Sequence, residues 1–234
     1  MKKIVKCCLA GALGFALVGC SKDGSLVGHK GIQLWKDGPY WAEMNIGAEK
    51  PWESGYYFWW GDIVGYKYVN GTFVASDGST TNFSFKEGNT PTDNKGNDIL
   101  QREGWITADG VLSPEHDAAH VQWGERWRMP TRQELTDLRS KCDWAWTVTN
   151  GVNGYIVRGR DDYSSASIFR PTAGAAFGSS LSGAGNHGFY WSSVPDSDSH
   201  NSWFLDFSSG NHYTYDELGR VGGRLIRSVQ KGAK

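Results

Sequence analysis

Apolar positions in this chain fall in short runs broken by Gly, Pro and polar clusters, the punctuation of brief strands rather than long helices. The clearest runs lie near the end, at 189–193, 202–207 and 224–229, separated by two loops rich in Asp, Ser, Asn, Gly, His and Tyr. In the middle run, alternation predicts Trp203, Leu205 and Phe207 on one face and Ser202, Phe204 and Asp206 on the other. The first face reads as core. The second sets Phe204 among polar groups, beside loops carrying His200, His212, Tyr213 and Tyr215. Adaptable binding surfaces use that mixture of aromatic and short polar side chains, and ordinary solvated turns share the composition.

Upstream, short strands are predicted at 32–35, 40–47 and 55–61, with a bend near Asn45, where Trp41, Met44 and Ile46 leave any simple period. A polar excursion at 62–110 holds hairpin strands at 66–74 and 81–85, an insertion with a surface role. Two helices follow. Ser113 before Pro114 starts one running to about Trp123. Thr131 and Glu134 form a capping box for the other, whose apolar stripe is Leu135, Leu138 and Cys142. Strands at 144–146, 154–157 and 168–169 come next, then a small-residue loop at 174–188. No period of 20 to 50 residues recurs.

The first 19 residues form a separate unit, because Lys2, Lys3 and Lys6 precede an apolar run ending Leu17-Val18-Gly19, the pattern of a secretory signal. The run is shorter than the roughly 20 residues of a membrane span. Leu-Val-Gly-Cys20 followed by Ser-Lys-Asp resembles the bacterial lipobox, which implies a diacylated Cys20 and a tether over 20–30. Losing those three lysines leaves 21 basic residues of 24 against 25 acidic ones, a charge of −4 that argues against nucleic acid as a partner. Cys7 and Cys8 leave with the signal, so Cys142 alone remains and packing must hold the exported domain together. The 12 Trp and 31 Gly of the 234 residues suit rigid aromatics joined by tight turns.

Three motifs carry candidate chemistry. His116 and His120 have the i, i+4 spacing of zinc ligands, with Asp117 where a metalloprotease has Glu, but no third ligand follows, and two polar residues on a surface helix explain them as well. The run Gly183-Ala-Gly185-Asn-His-Gly188 matches a dinucleotide fingerprint in form while lacking the helix that must follow it. Asp93, Asn97 and Asp98, and Asp161 with Asp162, offer oxygen ligands to a structural Ca²⁺ without EF-hand spacing; turn formation is the simpler reading. No other cofactor is implied.

The segments Trp41-Ala-Glu-Met-Asn-Ile-Gly47, Tyr57-Phe-Trp-Trp-Gly-Asp62, Ala118-Ala-His-Val-Gln-Trp-Gly124, Trp127-Arg-Met-Pro-Thr-Arg-Gln-Glu-Leu135, Asn150-Gly-Val-Asn-Gly-Tyr155, Ile168-Phe-Arg-Pro171, Tyr190-Trp-Ser-Ser193 and Arg227-Ser-Val229 run in order over nearly the whole mature chain. Together they resemble bacterial lipoprotein domains of the C-type-lectin-like fold, relatives of the formylglycine-generating-enzyme type. The C-terminal segment also resembles the variable region of retroelement-diversified proteins, among them lipid-anchored treponemal variable proteins. In that class adenine-directed mutagenesis of Asn codons rewrites surface positions on a fixed scaffold. Asp, Ser, His, Asn, Tyr and Phe are reachable from an Asn codon, and they crowd the two loops; Glu217 is not reachable and would be fixed. The enzyme's chemistry needs a cysteine pair, and the mature domain has Cys142 alone.

The resulting expectation is one α+β domain over 31–230, of C-type-lectin-like fold, with short antiparallel strands, two helices and long irregular loops. It implies a membrane-anchored lipoprotein on the outer surface of the cell that binds a protein or glycan ligand on another cell or surface and does not transform it. A variable-type region at about 186–229 would supply the contacts through Asp196, Asp198, His200, Phe204, Asp206, His212, Tyr213, Tyr215 and Asp216, with Trp191 and Trp203 as scaffold. The alternative is a carbohydrate-binding or structural surface lipoprotein without diversification.

Overall fold

The computed structural model describes residues 29–215 and 219–231. Cys20, the signal, most of the tether, Asp216 and Glu217 therefore lie outside the described residues. In chain order the elements are β1 (Gly31–Gln33), β2 (Tyr40–Ala42), β3 (Tyr66–Val69), β4 (Thr72–Ala75), α1 (Asn97–Arg102), α2 (Ala118–Trp123), β5 (Trp127–Arg128), α3 (Arg132–Lys141), β6 (Asp143–Thr149), β7 (Val152–Arg158), β8 (Ser167–Pro171), β9 (Ala173–Phe177), β10 (Ser180–Ala184), β11 (His187–Pro195), β12 (Ser202–Ser208), β13 (Asn211–Tyr215) and β14 (Val229–Gln230). The domain is a mixed, sheet-rich α+β structure. Its sheets have the orders β1-β2-β14-β5, β10-β9-β11-β12-β13, β3-β4 and β6-β7-β8.

Several expectations are corrected. The small-residue segment at 174–188 is not a loop but the β9–β10 hairpin and the turn into β11. As the sequence implies, a strand and not a helix follows the glycine motif; Gly183 in β10 and Gly185 in the turn after it take positive φ. Gly188 serves a different end: a Cβ there would stand 2.2 Å from the Phe207 ring, so that ring can lie across β11 only over glycine. The segment 224–229 makes single bridges to Phe58 and Tyr190 before its ladder begins at Val229. There are three α-helices among the described residues where two are predicted, because α1 lies inside the polar excursion and is held by the one buried residue Leu100.

The capping box is present as predicted. Thr131 Oγ1 accepts from Glu134 N–H at 3.2 Å, and Glu134 Oε2 accepts from Thr131 N–H at 2.8 Å. Below it Leu135, Leu138 and Cys142 are buried. Thr131→Ala should therefore lower stability by about 1 kcal/mol in chemical denaturation; an unchanged midpoint would mean the cap is idle.

Two apolar clusters lie on opposite sides of the β11–β12 ladder. Tyr190, Leu205 and Phe207 join Leu135, Leu138, Tyr155 and Leu225 on one side; Trp191 and Phe204 join Phe58, Trp60 and Ile226 on the other. Strands covered on both faces lose the alternation that half-buried strands show.

Four arginines are fully buried: Arg170, Arg220, Arg224 and Arg227. Arg227 is satisfied by Asn45 Oδ1 and by the carbonyls of Ala42, Glu43 and Phe169, joining the predicted bend at Asn45 to the C-terminal segment.

Candidate functional site

The site is built on β11, β12 and β13, whose antiparallel register sets Asp206 between Phe189 on one neighbour and Tyr213 on the other. Directly paired residues share a face of the sheet. On that outer face Tyr213 is 43% exposed and the Asp206 side chain 22%. Asp206 Oδ1 has no hydrogen-bond partner among the described residues. His187 Nδ1 stands 3.5 Å from it, within ion-pair range but out of hydrogen-bonding alignment. The His187 ring stacks on Phe189 with centroids 5.6 Å apart. Burial raises the Asp206 carboxyl above its ordinary range, and His187 and Arg224 oppose that rise.

Arg224 lies on the same face, over the neighbouring pair Trp191 and Phe204. Its guanidinium carbon lies 4.0 Å from the Trp191 ring centroid and 4.6 Å from that of Phe204, and Nη1 donates to the Gly219 carbonyl at 3.0 Å. Burial pulls its pKa down to about 9, with Asp206 acting the other way. The arrangement sets a partly exposed carboxylate between two aromatic rings, its Oδ1 covered beside His187, on strands whose other face is packed on the core. Such a site can accept hydrogen bonds and offer ring faces; it needs no backbone movement to do so.

The loop between β11 and β12 forms a second group. Asp196 Oδ1 accepts from Asp198 N–H at 3.0 Å and Asp198 Oδ1 from His200 N–H at 2.8 Å, so these carboxylates fold the loop on itself. His200 Nδ1 lies 3.2 Å from Asp93 Oδ1, which ties the loop to the polar excursion. Arg220 holds the loop from below, donating to the carbonyls of Asp196, Asp198, Ser199 and Asn201 and to Ser202 Oγ. Asp198 and His200 remain exposed. This loop lies at the Ser202 end of β12, and the turn to β13 lies at the Ser208 end, about 20 Å away at 3.3 Å per residue.

Phe204 and His212 do not belong to the exposed row. Phe204 is 1% exposed and packs edge-on against Trp191 beneath Arg224, because a second core layer covers the face that alternation assigns to solvent. His212 pairs with Phe207 and so lies on the opposite face, stacked on Trp144 at 4.6 Å. Burial and the nearby Arg139 lower its pKa. Trp203, expected in the core, is only half-buried, with the Arg132 guanidinium 3.2 Å above its ring. Tyr215 pairs through its backbone with Phe204, and Asp216 lies outside the described residues.

Sequence reasoning passed over His187, Phe189 and the buried arginines. The signals were there: aromatic runs without alternation, Phe-Tyr-Trp191 and Trp-Phe-Leu205, mark two-sided burial, and Arg220, Arg224 and Arg227 sit among Gly and apolar residues where a solvated charge has no reason to be.

The other candidate motifs are structural in geometry. His116 ends a 3₁₀ turn and stacks on Trp105 at 3.8 Å, while His120 follows in α2 after a break at Asp117, so the two histidines do not share a helix. Asp117 caps α2, accepting from Ala119 and His120 N–H through Oδ1 and from Met129 N–H through Oδ2. It opens toward a cleft of about 670 Å³ also lined by His120, Arg126 and Arg128, yet its own hydrogen bonds are satisfied. Asp93 faces His200, and Asp161 and Asp162 form a 3₁₀ turn. Among the described residues no three His, Cys, Asp or Glu side chains gather as metal ligands. Burial pushes the Cys142 thiol up to about 12.

Fold and site together define a mixed α+β domain that displays a polar and aromatic sheet face over a doubly packed ladder. Comparison with family models, curated proteins and solved structures finds no match to the chain.

Proposed function

We propose that the protein is a lipid-anchored, surface-displayed binding protein of C-type-lectin-like type, a retroelement-diversified receptor or adhesin that engages a protein or glycan on another cell through the outer face of β11–β13. One observation carries this reading: Asp206, its side chain 22% exposed, stands between Phe189 and the 43%-exposed Tyr213 on strands locked from behind by core packing. The contact set is Asp196, Asp198, His200, Asp206 and Tyr213, with Phe189 and His187 added; Phe204 and His212 act as supports. A protonated, covered Cys142 thiol favours binding over the cysteine chemistry of the formylglycine-generating type. Among the described residues no helix is long and apolar enough to cross a membrane.

The competing reading is a carbohydrate-binding surface lipoprotein without diversification, favoured by the same carboxylate flanked by aromatic rings. Nucleotide sequence separates the two. Asn-type codons at 196, 198, 206 and 213, with a near-copy template nearby, support diversification; their joint absence removes it. The binding face is tested by displaying the domain against a protein and glycan library. Asp206→Ala and Tyr213→Ala should each weaken capture about tenfold or more, by analogy with interface hot spots, while shifting stability by less than about 1 kcal/mol. Unchanged capture by both variants would place the face elsewhere.

A further inference from the structure

β8 delivers Arg170 to the interior between β2 and β11, where it is 0% exposed. Its guanidinium carbon lies 4.3 Å from the Tyr190 ring centroid and 5.4 Å from that of Trp41. Unlike Arg227, it makes no hydrogen bond of good geometry: Nε, Nη1 and Nη2 all lack one among the described residues, and so does the Trp41 indole Nε1. The Tyr190 hydroxyl gives its proton to the Pro171 carbonyl at 3.0 Å. No carboxylate acts on Arg170; the Tyr190 hydroxyl favours its charge, and Arg227, of the same sign, opposes it.

We propose that this interior position is a binding site for a small monovalent anion of the halide class, held by the Arg170 guanidinium and the Trp41 indole N–H. A buried guanidinium keeps its proton, so its charge has to be met by something other than deprotonation. Two aromatic rings flank it, and the Tyr190 hydroxyl, whose proton goes to the Pro171 carbonyl, brings no full negative charge to offset it. The unpartnered side-chain atoms here are all donors. A water molecule would bring two hydrogens of its own that need acceptors, whereas a halide takes donors only and supplies the missing negative charge. Burial pulls Arg170 down to about 9, which an anion would reverse. The site stands apart from the outer face and does not depend on what that face binds.

The test uses crystals of the purified chain with bromide in place of chloride, and melting curves in potassium bromide and potassium gluconate at equal ionic strength. An anomalous bromide peak is expected within about 3.5 Å of Arg170 Nη atoms and Trp41 Nε1. Melting should be higher in bromide than in gluconate, and in Arg170→Met that difference should vanish. If Arg170→Met does not fold, the anomalous map decides alone. Ordered waters without anomalous signal at Arg170, or a bromide effect that persists in the variant, would overturn the assignment.

Discussion

Phe204→Ala should lower the stability of the domain by about 3 to 5 kcal/mol, the range for removing a buried aromatic ring. Phe204 is 1% exposed, meets Trp191 edge to face and lies under the Arg224 guanidinium, so truncation empties a space that neighbouring rings cannot refill. Trp203→Ala, one residue earlier, should cost only about 1 to 2 kcal/mol although tryptophan is the larger side chain. Its side chain is only partly buried, with the Arg132 guanidinium 3.2 Å from its ring centroid. Denaturant unfolding of both variants beside the parent measures the order. A larger loss for Trp203→Ala would mean that β12 turns its sides the other way.

The second large effect is expected at Arg220. Its guanidinium reaches seven acceptors: Asn201 O and Ser202 Oγ from Nε, the carbonyls of Thr92, Lys95 and Ser199 from Nη1, and those of Asp196 and Asp198 from Nη2. It also stacks over Trp60 at 5.2 Å. Arg220→Ala should lower stability by about 3 kcal/mol or more, since it opens a cavity and orphans several buried carbonyls together. Amide exchange in the 196–201 loop should speed up well beyond the global change. Arg220→Lys restores the charge but not the fork, and should recover less than half of the loss. Parent-like stability and exchange in Arg220→Lys would show that charge alone holds the loop.

These two residues also show what was legible in the sequence. Leu205 and Phe207 were predicted inward by alternation and are in the core, and the Thr131 cap was readable because capping is a local matter of four residues. Phe204 was misassigned because a period of two says which residues share a face, not whether a second layer covers the other one. The layer that covers it comes from distant segments, Phe58, Trp60 and Ile226. His212 was placed with the wrong neighbours for a related reason: its face is fixed by pairing with Phe207, and register cannot be read from a loop composition. The fold of the 196–200 loop is local, since its Asx turns are written in adjacent residues. Arg220 and Arg224 are intelligible only after the carbonyls and rings they meet have been brought to them.

The position of β14 bears on how the chain reaches this structure. Val229 pairs with Trp41 on one side and Arg128 on the other, so the last strand in chain order is an inner strand of the sheet that holds the first two. The partners Trp41 and Val229 are roughly 190 residues apart, and closing so long a loop is slow in folding. Until that closure the β1–β2 hairpin has an open edge, and Arg227 cannot reach Asn45. An N-terminal part of the domain therefore gains little by folding early. Final structure is acquired late, once the end of the chain is there to fill the place between β2 and β5.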